Sequence, residues 1–317
     1  MPFMSEVKAE QPERKQSWDL EEGAEIVPGR YALRRLGGGY DYEAYLSFDD
    51  HLFALVVAKI LRPNLVNDPH AIRVLKREAR HLERLNHPVV VRGFGAVTDG
   101  DRPHILMEYL EGPNLASLIR RYGPIELEQL LPLALQICSA IHYLGEERVV
   151  HLDVKPRNII MGAPPRLIDM SIARSFSRAK ELTSPVGTDA YMAPEQCNPK
   201  TGKCGPASDV WGLGSTLYHS IVAKVPFPRP DYDDTVHKND YRIRFPQLHN
   251  PPEPFPKSVP HQIQEIVMAC LNPEPAERPA ISEVVGWIEP LVAQLPTKPV
   301  LRKLRPRLRP RPRRPGT

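Results

Sequence analysis

His151-Leu152-Asp153-Val154-Lys155-Pro156-Arg157-Asn158 gathers a carboxylate, an ammonium and an amide into one short string. Asp153 can accept a proton from a hydroxyl, Lys155 can offset developing negative charge, and Asn158 offers an amide oxygen five residues beyond the carboxylate. Eleven residues after Asn158, Leu167-Ile168-Asp169-Met170-Ser171 places a second carboxylate behind an apolar pair of β type. An Asp in a turn accounts for either string alone. Such a loop can present the Asp153 carboxylate to a substrate hydroxyl while Asn158 binds a metal.

Outward from this centre the chain divides in two. Upstream, Tyr31–Leu36, Tyr42–Phe48 and Phe53–Leu61 read as strands separated by Gly-rich or Asp-rich turns. Asp68-Pro69 opens a helix, with Ile72, Leu75, Ala79, Leu82 and Leu85 at helical spacing and Asn86-His87-Pro88 as its stop. Val89–Val97 and His104–Tyr109 flank the turn Asp99-Gly100-Asp101 and complete a small sheet with one helix. Downstream of Gly112-Pro113 the chain is helical over Leu115–Arg121, Leu127–Leu144, Ser208–Val222, His261–Leu271 and Ile281–Leu295. Pro132 predicts a kink or a late start in the second of these. Val149–Met161 and Arg166–Ile172 read as short β-like pieces, and the Pro-rich stretch 226–260 as an irregular surface connection.

The string at 151–158 resembles the catalytic loop of protein kinases, with Leu152 where the family has Arg, and 167–171 resembles its metal-binding Asp-Phe-Gly segment. Further matches follow in family order. Leu36-Gly37-Gly38-Gly39-Tyr40-Asp41-Tyr42 resembles the Gly-rich loop over the ATP phosphates, with Tyr42 in place of the third glycine. Val56-Val57-Ala58-Lys59 supplies the phosphate-binding lysine, and Glu78, on the inward face beside Leu75 and Leu82, its partner. Gly187-Thr188 through Pro194-Glu195 resembles the close of the activation segment, Asp209-Val210-Trp211-Gly212 the start of the buried helix, and Arg278 the partner of Glu195. Pro194-Glu195-Gln196 and Leu217-Tyr218-His219 are most similar to the bacterial branch of the eukaryotic-like Ser/Thr kinases.

The resemblance implies an α+β bilobal kinase fold, with a small β-rich N-lobe carrying one key helix and a larger, mainly helical C-lobe. It sets a disordered leader at 1–27, a kinase domain at 28–294 (N-lobe 28–110, C-lobe 111–294) and a basic Pro/Arg-rich tail at 295–317. It implies transfer of the ATP γ-phosphoryl group to serine and threonine hydroxyls of proteins, with autophosphorylation; the alternative is a pseudokinase scaffold. Asp153, Lys155, Lys59, Glu78 and Thr188 are the implied catalytic residues, and Asn158 and Asp169 hold Mg2+, with Mn2+ as a substitute. Gly37, Gly38, Gly39, Ala44, Val57, Lys59, Met107, Glu108, Leu110 and Ile160 surround the nucleotide, Met107 as a gatekeeper before the hinge. Lys155 is the Ser/Thr-kinase choice at its position.

Composition bounds the rest. In 317 residues, 42 basic side chains meet 38 acidic ones, but nine of the basic ones lie between Thr297 and the end, where there is no acid. The preceding residues hold 33 against 38, so a mildly acidic globule carries a basic arm, and nucleic-acid binding does not follow from the overall charge. Alternating Arg and Pro suits an extended, solvated arm, with contact to anionic surfaces as the sharper reading. No apolar run is long enough for a membrane span and nothing resembles a signal peptide, so a soluble, cytoplasmic form is expected. Cys138, Cys197, Cys204 and Cys270 lack metal-ligand spacing and fit reduced thiols.

Overall fold

The computed structural model describes residues 16–295 except 201, 230 and 231. Six strands form one antiparallel sheet: β1 (Glu25–Val27), β2 (Arg30–Gly38), β3 (Tyr42–Asp49), β4 (Ala54–Leu61), β5 (Gly93–Val97) and β6 (His104–Glu108), in the order β1-β2-β3-β4-β6-β5. Alternation in β3 and β4 puts Tyr45, Val56, Ala58 and Ile60 into an apolar layer with Ile26 and Leu106. Helix α1 (Pro69–Arg84) starts where Asp68 accepts the Ala71 N–H at 2.6 Å, a cap worth about 1 kcal/mol. It buries Ala71, Leu75, Glu78 and Leu82. Glu78 is therefore carried inward on the face its apolar neighbours select.

The second lobe is built on α2 (Leu115–Tyr122), α3 (Leu127–Glu146), α6 (Pro206–Val222), α9 (His261–Cys270) and α10 (Ile281–Ala293). Helix α6 is almost wholly buried, with α3 and α9 packed against it and α10 against α3. Short pieces sit between them: β7 (Val149–Val150), β8 (Ile159–Ile160), β9 (Arg166–Leu167), β10 (Arg174–Ser175), α4 (Phe176–Lys180), α5 (Pro194–Cys197), α7 (Asp234–His237) and α8 (Tyr241–Arg244). β8 pairs with β9 and β7 with β10. No helix among the described residues is long and apolar enough to cross a membrane.

Several expectations need correction. The leader does not run to residue 27: residues 16–27 are ordered against the sheet, with Trp18 and Leu20 on its apolar layer and β1 at its edge. Residues 1–15 and the tail from 296 lie outside the described residues. Helix α3 starts at Leu127, ahead of Pro132, and runs on past it, so no late start occurs. The β-like pieces around 149–172 shrink to two-residue strands, because the polar residues between them are used in the site. Residues 226–260 contain short helical turns, with Phe245 and Gln247 buried, rather than a wholly irregular connection. All four cysteines are free and buried, in keeping with the expected reduced thiols.

Candidate active site

Two clusters of charge face one cleft of about 580 Å³ between the lobes. In the upper cluster Lys59, from β4, donates to both Glu78 carboxylate oxygens at 2.7 and 2.8 Å and to Asp169 Oδ1 at 3.0 Å. Glu78 is 1% exposed, so this ammonium is the counter-charge that a buried carboxylate requires. Burial works against the Lys59 charge, but the Asp169 and Glu78 carboxylates more than offset it and hold its pKa above the ordinary lysine value. Burial alone would raise Asp169, yet Lys59 and the Ser171 side chain hold it far below the usual carboxylate range. Asp169 is ionised and Lys59 charged at any physiological pH.

The lower cluster sits on the loop after β7. The N–H groups of His151 and Leu152 both donate to Asp209 at 2.7 Å, so the N-terminal turn of α6 fixes the loop from below. Leu152 adopts φ 65°, a left-handed conformation that a Leu rarely takes and that these two bonds hold in place. Beyond it, Asp153 Oδ1 accepts the Thr188 hydroxyl at 2.8 Å, and Asp153 Oδ2 accepts Lys155 Nζ at 2.5 Å. Lys155 also bonds the Thr188 hydroxyl. Asn158 Nδ2 donates to Asp153 Oδ2 and to the Asp153 carbonyl, both at 3.0 Å. The carboxylate is thus oriented by three side chains.

The cleft lining contains Gly37, Gly38, Gly39, Ala44, Val57, Lys59, Glu78, Met107, Glu108, Leu110, Lys155, Asn158, Ile160 and Asp169. Asp153 and Thr188 stand just behind Lys155 and Asn158 rather than in the lining. Ala44 lies opposite Lys59 across β3 and β4, while Val57 lies opposite Met107 across β4 and β6. Tyr109 and Leu110 follow the last pair of that ladder, Val56–Glu108, and bring main chain to the cleft edge. A side chain on Gly38 would come within 2.5 Å of the Tyr42 carbonyl, so the hairpin of the loop requires glycine there. Val91, Asn114 and Ser117, which belong to none of the motifs, also line the cleft. Asn114 had a signal, as the residue before a helical run; it caps α2 by accepting the Ser117 N–H.

Tyr42 reaches a place that no motif assigns to it. Its ring lies under Lys59 Nζ, 3.9 Å from the centroid, and its hydroxyl donates to Asp169 Oδ2 at 3.2 Å. Lys59 draws the phenol pKa down, but burial and Asp169 push harder and carry it to about 12. The phenol remains a neutral donor.

A β-sheet lobe over a helical lobe, with a Lys–Glu–Asp chain above and an oriented carboxylate below, defines the class of bilobal phosphotransferases. The profile of the family described as protein kinase domain matches residues 31–287, and the chain belongs to that family. It is 31% identical over 258 residues to serine/threonine-protein kinase PrkC of Bacillus subtilis (strain 168), covering 80% of this chain and 39% of that protein. It is 29% identical over 257 residues to serine/threonine-protein kinase PknB of Mycobacterium leprae (strain TN), covering 77% and 39%. The corresponding figures for PknB of Mycobacterium tuberculosis (strain ATCC 25618 / H37Rv) are 28% over 265 residues, 78% and 40%. The chain thus spans about two fifths of the length of these relatives.

Proposed function

We propose that this chain is an ATP-dependent serine/threonine protein kinase that transfers the γ-phosphoryl group to hydroxyls of protein substrates, its own included. The observation that carries this reading is Asp153, held at once by Lys155, Thr188 and Asn158 beside the cleft that Lys59, Glu78 and Asp169 line. Asp153 accepts the proton of the substrate hydroxyl as its oxygen bonds to phosphorus and ADP departs. Lys155 offsets the charge that gathers on the transferred group, and Lys59, fixed by Glu78, meets the remaining phosphates.

Asp169 and Asn158 are hard oxygen donors at the cleft wall, which suits Mg2+, or Mn2+ as its substitute. The Asn158 amide nitrogen is turned to Asp153, which leaves the oxygen side for a cation. No group of three or more His, Cys, Asp or Glu side chains among the described residues could hold a metal alone, so Asp169 and Asn158 would hold the cation together with the nucleotide. When bound, the cation neutralises charge on the phosphate oxygens. Free, buried thiols support a place in the cytoplasm.

A scaffold that does not transfer has one supporting observation, Tyr42 engaging both Lys59 and Asp169. Incubation with Mg-ATP and a generic protein substrate separates the two. Phosphoserine or phosphothreonine is expected with the wild type and falls by about 10²- to 10⁴-fold with Asp153→Asn. Equal, background-level labelling by both proteins, with nucleotide still bound, would favour the scaffold.

A further inference from the structure

Residues 16–20 precede the stretch that matches the family, and nothing in the chemistry above uses them. Trp18 anchors them to the sheet. Its indole N–H donates to the Leu61 carbonyl at 2.7 Å, its backbone N–H to Glu43 Oε2 at 3.0 Å, and Arg102 lies over its ring, 4.9 Å from the centroid. The Ser17 hydroxyl donates to Glu43 Oε1 at 2.7 Å. Glu43 has no exposed surface, and it also gathers Arg35 at 2.7 Å, Arg62 at 3.0 Å and the Tyr45 hydroxyl at 3.2 Å.

Arg62, itself buried, joins this cluster to the Gly-rich loop. Its Nη1 donates to the Gln16 carbonyl at 2.8 Å as well as to Glu43, while Nη2 donates to the Gly39 carbonyl at 3.0 Å and Nε reaches the same oxygen at 3.3 Å. A guanidinium has a rigid, planar set of donors, so fixing two of its edges fixes the third. The loop it grips contains three successive glycines, whose other ties are the pairing of Gly37 and Gly38 with Ala44 and Glu43 and the Gly39 N–H on the Tyr42 carbonyl. Clamping the Gly39 carbonyl also turns the next N–H away from Arg62, because the peptide is planar and trans.

We propose that residues 16–20 are a strap that positions the Gly-rich loop through Glu43 and Arg62, and so sets nucleotide affinity without touching the nucleotide. This rests on the reading of the cleft as an ATP site. Without the strap, Glu43 loses two of its donors and Arg62 one of its anchors. A buried carboxylate left short of donors then competes for Arg62 against the Gly39 carbonyl.

The test compares the full chain with a variant lacking residues 1–21 and with Trp18→Phe, which keeps an aromatic ring but loses the indole N–H. Three readouts are needed: the Kd of ADP with Mg2+, the split between KM for ATP and kcat, and amide hydrogen exchange at residues 37–42 against that in α6. The truncation is expected to raise Kd and KM for ATP by about five- to thirtyfold, with kcat within about twofold. It should speed exchange at 37–42 alone. Trp18→Phe should move the same quantities in the same direction, by about threefold. Unchanged Kd and unchanged loop exchange overturn the proposal. So does a loss of kcat and of α6 protection in step with Kd in both variants, since the strap would then only hold the fold together. If the wild type binds no ADP, the ATP-site reading fails by itself, and exchange at 37–42 still decides whether the strap positions the loop.

Discussion

Tyr42 puts a phenol where the rest of the Gly-rich loop offers bare backbone. Its contacts with Lys59 and Asp169 use the two groups that would otherwise meet phosphate and metal. Under the proposed function ATP must displace the ring, and the cost of displacement is set by one charge-assisted hydrogen bond and one cation–π contact. Tyr42→Phe removes the first and is expected to lower KM for Mg-ATP by about three- to tenfold; Tyr42→Gly removes both and should lower it at least as far. Steady-state kinetics at saturating protein substrate check this, and a rise in KM for both variants would show that the ring helps to hold ATP instead. Nothing in the sequence separates a phenol that points outward from one that reaches 127 residues along the chain to Asp169. Charged residues were legible because their chemistry fixes their place. A neutral substitution in a loop carries no such constraint.

Leu152 is 3% exposed and packs with Val150, Ala179 and Cys204, and with Ile172, Phe176, Leu182 and Val186 of the activation segment. Helix α4 is thus held to the catalytic loop by apolar contact, and β10 by its pairing with β7, where kinases with Arg at this position can use a phosphate. Arg174 is committed to carbonyls of its own segment and Arg178 to Glu181. Phosphatase-treated enzyme and a Thr183→Ala, Ser184→Ala double variant are expected to keep their initial rate within about twofold, whereas Leu152→Ala should cost about 2–4 kcal/mol of stability. Loss of turnover on dephosphorylation would mean that another cation grips the segment.

On α1, burial and the nearby Arg84 and Arg77 bring the His81 pKa down to about 4. An unfolded chain binds this proton below about pH 6.5 and the folded one does not, so stability falls as pH drops from 6.5 towards 4 and levels off below. Melting curves across that range should show His81→Gln losing about 1–2 kcal/mol less than wild type on acidification. An identical slope in both proteins would place the acid sensitivity elsewhere. Helix α1 itself was readable from its spacing and its Asp-Pro start. The two-residue strands were not, because pieces so short have no period and exist only through their partners.

The lobes are tied along one side of the molecule: Lys59 to Asp169, Arg77 to the Ser171 carbonyl at 2.7 Å, and Arg84 to the Glu147 carbonyl at 2.7 Å. Deeper in the C-lobe, Arg278 holds Glu195 through two bonds at 2.8 and 2.9 Å with both side chains buried, and Ser208 adds a third at 2.7 Å. Arg278→Ala leaves that carboxylate buried alone and is expected to cost about 3–5 kcal/mol, or about 6–15 °C in Tm by calorimetry. A drop of only a degree or two would mean that water reaches Glu195. Sequence order disclosed this pair, 83 residues apart, through resemblance alone. The strap at 16–20 stayed hidden because a polar stretch shows no period, and the lone Trp18 was its only mark. The four buried cysteines have a practical consequence. Burial lifts the Cys138 and Cys204 thiols to about 12 and keeps all four from ionising near neutrality, so maleimides have no native target. Cysteines introduced at Leu52 and Tyr122, exposed positions on opposite lobes, would take a donor and an acceptor dye selectively. The unaltered sulfurs would stay silent while fluorescence energy transfer reports the distance between the lobes with and without nucleotide.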